Sequence, residues 1–161
     1  MSKLKVRDIM TTQVISLRGE DTVREATVRF AIDGVSGAPV VNDSGDLIGI
    51  LSETDVLELV MSYQDKLHLT NPSLYLLALP FDESIDDPEI QEASLAISNT
   101  KVKDIMTTMV LTTTPDAKIT DVIERMIEKS INRVPVLEKG KLVGIVSRGD
   151  IIFSIYSKKK K

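Results

Sequence analysis

Lys5-Val6-Arg7-Asp8-Ile9-Met10-Thr11-Thr12 returns, changed at a single position, as Lys101-Val102-Lys103-Asp104-Ile105-Met106-Thr107-Thr108. At the same offset of 96 residues Val14 meets Val110, Arg29 meets Arg125, and Pro39-Val40 meets Pro135-Val136. One residue is lost near Ser44. Beyond it Gly45 meets Gly140, Leu47 meets Leu142, Gly49-Ile50 meets Gly144-Ile145, Ser52 meets Ser147 and Asp55 meets Asp150. Roughly 17 of about 50 aligned positions are identical, so the chain is two copies of one unit joined by an insert. The divisions read from the sequence are a first repeat over 1–63, an insert over 64–100, a second repeat over 101–157 and a lysine tail over 158–161.

Each copy has the same order of elements. A short helical turn (6–10 and 102–106) leads into a short β segment (14–16 and 110–112) and then an amphipathic helix. In the second copy Ile119, Val122, Ile123, Met126 and Ile127 form one helical stripe; in the first, Val23, Ala26, Thr27, Phe30 and Ala31 hold the same slots. Thr22-Val23-Arg24-Glu25 has the form of a capping box, in which the Thr hydroxyl and the Glu carboxylate satisfy free N–H groups of the first turn. Two apolar strands follow (38–42 with 47–51, and 134–138 with 142–146), joined by Asp43-Ser44-Gly45-Asp46 and Lys139-Gly140-Lys141. A last helix starts after Ser52 or Ser147. The expected fold is α/β, two β-α-β-β-α repeats with a partly helical insert. A unit of this size buries too little apolar surface alone, so the repeats are expected to pack about a pseudo-two-fold axis and to form two clefts, where small-molecule pockets tend to lie.

Composition narrows the function. The 161 residues are 42% hydrophobic and 27% charged, with net charge −4, no Cys and a single His. These figures fit an ordinary globular protein. Without Cys there is no thiolate nucleophile, disulfide framework or Cys-ligated metal. His68 alone supports neither a His-based metal cage nor a Ser-His-Asp triad, and it is read as a histidine without catalytic duty. No metal site and no required cofactor are expected. No apolar run follows the N-terminal residues and none approaches the length of a spanning helix, so a cytoplasmic chain away from the membrane is expected. The acidic balance argues against a broad nucleic-acid surface, with Lys158–Lys161 as the exception. In the insert, Asn71-Pro72 and Asp87-Pro88 read as helix N-caps followed by Pro. The second begins a helix with Ile90, Ala93 and Ile97 on one face, expected beside the second copy. Leu74, Tyr75, Leu77, Leu79 and Phe81 are read as core filling or a dimer contact.

The ordered set, Asp-Ile-Met-Thr, amphipathic helix, Pro-Val, then Gly-Ile-Leu/Val-Ser-x-x-Asp, occurs twice at matching spacing. It resembles a tandem pair of CBS (cystathionine β-synthase) domains, a Bateman module, over nearly the whole chain except the insert and the tail. The resemblance implies a stand-alone regulatory module that binds an adenosyl ligand (AMP, ADP, ATP or S-adenosylmethionine) and signals to a separate target protein. It also implies a homodimer, disc-like, through the helices at 22–33 and 118–129 and the last helix of each copy. For ribose and phosphate it implies Ser52, Thr54 and Asp55 in copy one and Ser147 and Asp150 in copy two. For the base it implies Val35, Gly37 and Ala38, and Ile131, Arg133 and Val134, with Val6, Met10, Val102 and Met106 from the leading segments.

The residue types suit that role on physical grounds. A carboxylate can accept two charge-assisted hydrogen bonds from a vicinal diol, and a helix start offers free N–H groups to an anion. The competing reading is that Ser-x-x-Asp only caps its helix; both roles can coexist. The two copies differ: Ser52-Glu53-Thr54-Asp55 against Ser147-Arg148-Gly149-Asp150. The cleft with Asp150 and Arg148, drawing on Val35, Gly37 and Ala38, is expected to prefer phosphates, because Arg forks onto phosphate oxygens. The cleft with Asp55, drawing on Ile131, Arg133 and Val134, is expected to prefer an uncharged or cationic adenosyl compound. Arg29 and Arg125 are read as exposed helix charges, and Met10, Met106 and Met126 as core or pocket wall. An enzyme is not expected, since nothing near Asp55 or Asp150 supplies a base or metal set for a hydrolase. A nucleic-acid-binding or structural interaction protein is the alternative.

Overall fold

The computed structural model describes residues 4–66 and 87–157. Asn71-Pro72, His68, the apolar run from Leu74 to Phe81 and the lysine tail lie outside the described residues. Helix α1 (Val23–Asp33) begins as its sequence demands: the Thr22 hydroxyl accepts from the Glu25 N–H, and the Glu25 carboxylate accepts from the Thr22 N–H at 2.7 Å. It ends at Gly34, whose φ of 64° lets its N–H turn back to the Phe30 carbonyl. Three strands, β1 (Leu17–Arg18), β2 (Gly37–Val41) and β3 (Leu47–Ser52), form a sheet in the order β1-β2-β3. Helix α2 (Glu53–Lys66) follows β3 directly. After the insert come α3 (Pro88–Asn99), the one-turn α4 (Val102–Ile105), α5 (Ile119–Glu128), the antiparallel pair β4 (Arg133–Glu138) and β5 (Lys141–Ser147), and α6 (Arg148–Ser157).

The described residues fall into two compact units whose membership crosses the repeat boundaries. One unit is built from 16–42, 48–66 and 87–108, the other from 4–15, 43–47 and 109–157. The leading segment of each repeat is therefore docked on the other repeat. In the second-repeat unit Val6 N–H donates to Ala117 O and Arg7 N–H to Pro115 O, and Thr11 and Ile145 exchange both backbone bonds at 2.9 and 3.0 Å. In the first-repeat unit Val102 N–H donates to Asp21 O and Lys103 N–H to Gly19 O, and Thr107 and Ile50 exchange both bonds at 2.9 Å. Val6 and Val102 are wholly buried at the centres of these contacts. Asp116 holds Lys5 and Arg7 at 2.7 and 2.6 Å, while Glu20, its counterpart, pairs with Lys103. The Lys5 hydrogen bond, with Arg7 nearby, holds the Asp116 carboxyl below the usual carboxylate range; that from Lys103 does the same for Glu20.

Four details differ from the sequence expectation. The first β segment lies at Leu17–Arg18 rather than 14–16, because parallel pairing sets Leu17 beside Val40 and Arg18 beside Val41. In the second copy the equivalent is a lone parallel bridge from Thr113 to Val136. The stripe of α5 is narrower than its periodicity: Ile119, Val122 and Met126 are buried, but Ile127 is 70% exposed. Ala31 on α1 is likewise exposed. Helix α3 packs in the first-repeat unit, so of the second copy it meets only the leading segment, at Val102, and not the rest. Its Ala93 and Ile97 share a core with Leu17, Val23, Phe30 and Val60, and the Thr100 carbonyl at its end accepts the Val23 N–H. The N-cap at its start is as expected, with the Asp87 carboxylate accepting from the Glu89 and Ile90 N–H groups.

Candidate functional site

Each unit carries the same local construction where its last strand becomes its last helix. β3 ends at Ser52 and α2 begins at Glu53, whose N–H donates to the Ser36 carbonyl at 3.0 Å. This bond pins the helix start to the residue just ahead of β2. In the other unit Arg148 N–H donates to the Asn132 carbonyl at 2.9 Å, just ahead of β4. Neither Ser36 nor Asn132 was singled out in the sequence, since their contribution is backbone and any residue type supplies it.

At both junctions Ser-x-x-Asp closes into a capping box. The Ser52 N–H and hydroxyl donate to Asp55 Oδ2 at 2.7 and 2.9 Å, and the Asp55 N–H donates to Ser52 Oγ at 3.4 Å. The corresponding bonds at Ser147 and Asp150 are 2.8, 2.8 and 3.1 Å. Both bonds to each carboxylate fall on Oδ2. Among the described residues, Oδ1 of Asp55 and of Asp150 accepts none. The cap thus fixes each carboxylate, half-buried at a helix N-terminus, and leaves one oxygen with two lone pairs for an incoming donor. Capping and binding are compatible in this geometry.

The neighbouring side chains differ between the units. Thr54 is exposed beside Asp55, where Gly149 leaves the second motif without a hydroxyl. Glu53 and Arg148 are both exposed. Arg148 Nε donates to the Ile131 carbonyl at 3.2 Å, which lays its side chain along the entry to β4. The first-repeat unit gathers Ser52, Thr54 and Asp55 with Val35, Gly37, Ala38, Val102 and Met106. The other gathers Ser147, Arg148 and Asp150 with Ile131, Arg133, Val134, Val6 and Met10. The expected pairing of Asp55 with Ile131, Arg133 and Val134, and of Asp150 with Val35, Gly37 and Ala38, combines residues of different units. Val6, Val102, Ala38 and Val134 are core residues with at most 1% exposure, so what they can offer a ligand is backbone. Met10 and Met106 are half-buried against Gly144 and Gly49.

A family model described as the CBS domain matches residues 6–62 and 102–157. The chain is a CBS-domain protein. It is 36% identical over 149 residues to the uncharacterized protein MJ1426 of Methanocaldococcus jannaschii, covering 91% of this chain and 88% of that one. Among solved structures it is similar to CBSX2 in complex with AMP, with TM-score 0.70, 23% identity, and coverage of 97% of this chain and 98% of that one. It is also similar to the CBS domain pair of MJ0100 in complex with 5'-methylthioadenosine and S-adenosyl-L-methionine, with TM-score 0.66, 23% identity, and 98% of both chains covered. At these identities the two structures establish the α/β fold of a CBS pair for this chain. Among the described residues, no helix of this CBS-domain protein is long and apolar enough to cross a membrane.

Proposed function

We propose that this CBS pair is a regulatory module that binds an adenosyl ligand of the AMP, ADP, ATP or S-adenosylmethionine type and passes the resulting conformational change to a separate partner protein in the cytoplasm. The observation that carries the reading is the twin Ser-x-x-Asp cap, which presents one unbonded carboxylate oxygen at each of two helix N-termini. In this reading Asp55 and Asp150 take the ribose diol. Ser52, Thr54, Ser147 and Arg148 face ribose or phosphate. The base lies against Val35, Gly37 and Ala38, Ile131, Arg133 and Val134, and the leading segments at Val6, Met10, Val102 and Met106. Arg148 favours a phosphorylated ligand and Glu53 an uncharged or cationic one. The similarity to structures holding AMP and S-adenosyl-L-methionine supports the ligand class.

The apolar residues exposed on α6, Phe153 and Tyr156 among them, and Ile32, Leu57 and Ile127 on the other helices, support the homodimer. Sedimentation equilibrium tests it. The function itself is tested by thermal shift with AMP, ATP and S-adenosylmethionine on wild type, Asp55→Asn and Asp150→Asn. A ligand that binds only the folded state stabilises it by about 2.7 kcal/mol at a hundred times Kd. Asn keeps the cap's acceptor oxygen but loses the charge, so each variant should weaken its own site tenfold or more. Absence of any shift with all three ligands would overturn the proposal. Salt-dependent RNA binding lost on removal of Lys158–Lys161 would favour the alternative of a nucleic-acid-binding protein.

A further inference from the structure

The second-repeat unit contains a cavity of about 240 Å³ between the segment leading to the Thr113 bridge and helix α5. It is lined by the hydroxyl-bearing Thr112 and Thr113, the charged Asp121 and Arg125 of α5, and the apolar Val122 and Val134. None of these except Val134 belongs to the Ser-x-x-Asp site or its proposed base contacts. The first repeat provides an internal comparison, because the same backbone positions there carry residues with different duties.

At the position of Thr113 the first repeat has Leu17, which pairs with Val40 as Thr113 pairs with Val136 and is 1% exposed in an apolar core. At the position of Asp121 it has Glu25, committed to the Thr22 capping box. The N-cap of α5 is instead Lys118, which cannot form that box. Among the described residues, the one side-chain bond Asp121 accepts is a long 3.3 Å contact from the Thr120 hydroxyl. At the position of Arg125 the first repeat has Arg29, paired with Asp33 one turn on at 3.8 Å. One turn after Arg125 stands Lys129, and among the described residues the Arg125 side chain makes no hydrogen bond or ion pair. Four substitutions, Thr113 for Leu17, Lys118 for Thr22, Asp121 for Glu25 and Lys129 for Asp33, therefore turn an apolar position flanked by engaged charges into a hydroxyl-lined cavity with one anionic and one cationic group left for something else. Asp121 and Arg125 sit four residues apart on one helix face, where opposite charges usually pair, yet no ion pair joins them.

We propose that this cavity binds a small zwitterion, an α-amino acid with a branched aliphatic side chain. Its carboxylate is received by the Arg125 guanidinium, which suits planar carboxylates. Its ammonium is received by Asp121, and the Thr hydroxyls complete the hydrogen bonding. Its side chain lies on Leu111 and Ala117, the half-buried apolar residues of the lining. A simple anion is disfavoured by Asp121 and a simple cation by Arg125. The cavity is below the roughly 300–1,000 Å³ of drug-sized sites, which matches a ligand of this size.

The test is isothermal calorimetry on the full chain with L-valine, and with isovalerate, isobutylamine and inorganic phosphate as probes of each charge alone. L-valine should bind at least tenfold more tightly than any of the three. Arg125→Gln and Asp121→Asn should each weaken L-valine tenfold or more. Thr113→Leu, which installs the residue already tolerated at the equivalent position of the first repeat, should abolish binding while leaving the circular dichroism spectrum unchanged. Asp55→Asn and Asp150→Asn should leave L-valine binding as it is, which separates this cavity from the adenosyl site. No heat with L-valine, phosphate binding as tight as L-valine, or undiminished binding in Thr113→Leu would overturn the proposal.

Discussion

Gly49→Ala tests how the leading segment of the second repeat is seated. A Cβ at position 49 would stand 2.5 Å from Met106 Sδ, 2.9 Å from its Cγ and 3.0 Å from the Thr107 carbonyl oxygen. The thioether is the end of a flexible side chain and can swing away. The Thr107 oxygen cannot move freely, because it accepts the Ile50 N–H at 2.9 Å in a reciprocal backbone pair. Overpacking of this kind costs about 1–3 kcal/mol. Replacing a strand glycine returns about 0.5–1 kcal/mol through the unfolded chain. The net expectation is a loss of about 1–2 kcal/mol, or about 2–8 °C in Tm for a chain of this size. Urea unfolding followed by far-UV circular dichroism reads it directly. Gly144→Ala should cost less, since its Cβ would meet Met10 Sδ at 2.7 Å and the Thr11 oxygen at 3.1 Å. Combining Gly49→Ala with Met106→Ala should cost less than the sum of the single changes, because the second removes the first's main obstacle. A Gly49→Ala protein within about 0.5 kcal/mol of wild type would refute the close seating of Met106 and Thr107 on β3.

Ile97→Ala, in a wholly buried position of the insert helix, should destabilise the first-repeat unit by about 2–5 kcal/mol in chemical denaturation; a near-neutral result would detach α3 from that core. Ser147→Ala removes the hydroxyl that both accepts from the Asp150 N–H and donates to its carboxylate, and should cost about 1 kcal/mol while also weakening any ligand on Asp150, both visible in one thermal-shift series. Asp116, Glu20 and Glu25 are held below the usual carboxylate range, by the Lys5, Lys103 and Thr22 hydrogen bonds respectively. Their contribution to stability is present above the unfolded carboxylate value of roughly pH 4 and is lost as pH falls through the lowered folded values. Lys103, raised by Glu20, contributes below the unfolded lysine value of roughly pH 10.4 and loses that contribution as pH rises through its folded value. Thermal unfolding from pH 2 to 7 should show a low-pH fall that is shallower in Asp116→Asn and in high salt.

The repeat made most of the fold readable. Matched positions carried the helices, the hairpins and the Ser-x-x-Asp junctions, and the Thr22 and Asp87 caps fixed two helix starts because their chemistry is local. Partnership was harder. Similarity between Lys5–Thr12 and Lys101–Thr108 says that they do the same thing, not which strand each one pairs with, so the exchange of leading segments left no sequence mark. The position of β1 is hidden for a related reason. Val14 and Ile15 are as apolar as Leu17, and only the parallel register with Val40 selects Leu17–Arg18. Adjacency to Lys101 points α3 at the second copy, but Lys101 and the segment after it belong to the first-repeat unit, so α3 meets that copy only there. At the candidate site the Ser and Asp side chains were readable from type and spacing. The Ser36 and Asn132 carbonyls and the tether of Arg148 Nε to Ile131 were not, since backbone acceptors have no signature in sequence.

The crossed leading segments also set an order of events on the ribosome. The unit that holds residues 16–42 cannot close until residue 108 has been made. Residues 4–15 are synthesised before the strand they dock on, and wait through the translation of everything up to β5 before Thr11 meets Ile145. A nascent chain halted after residue 63 would thus expose both an unfilled Val102 socket and an undocked Val6.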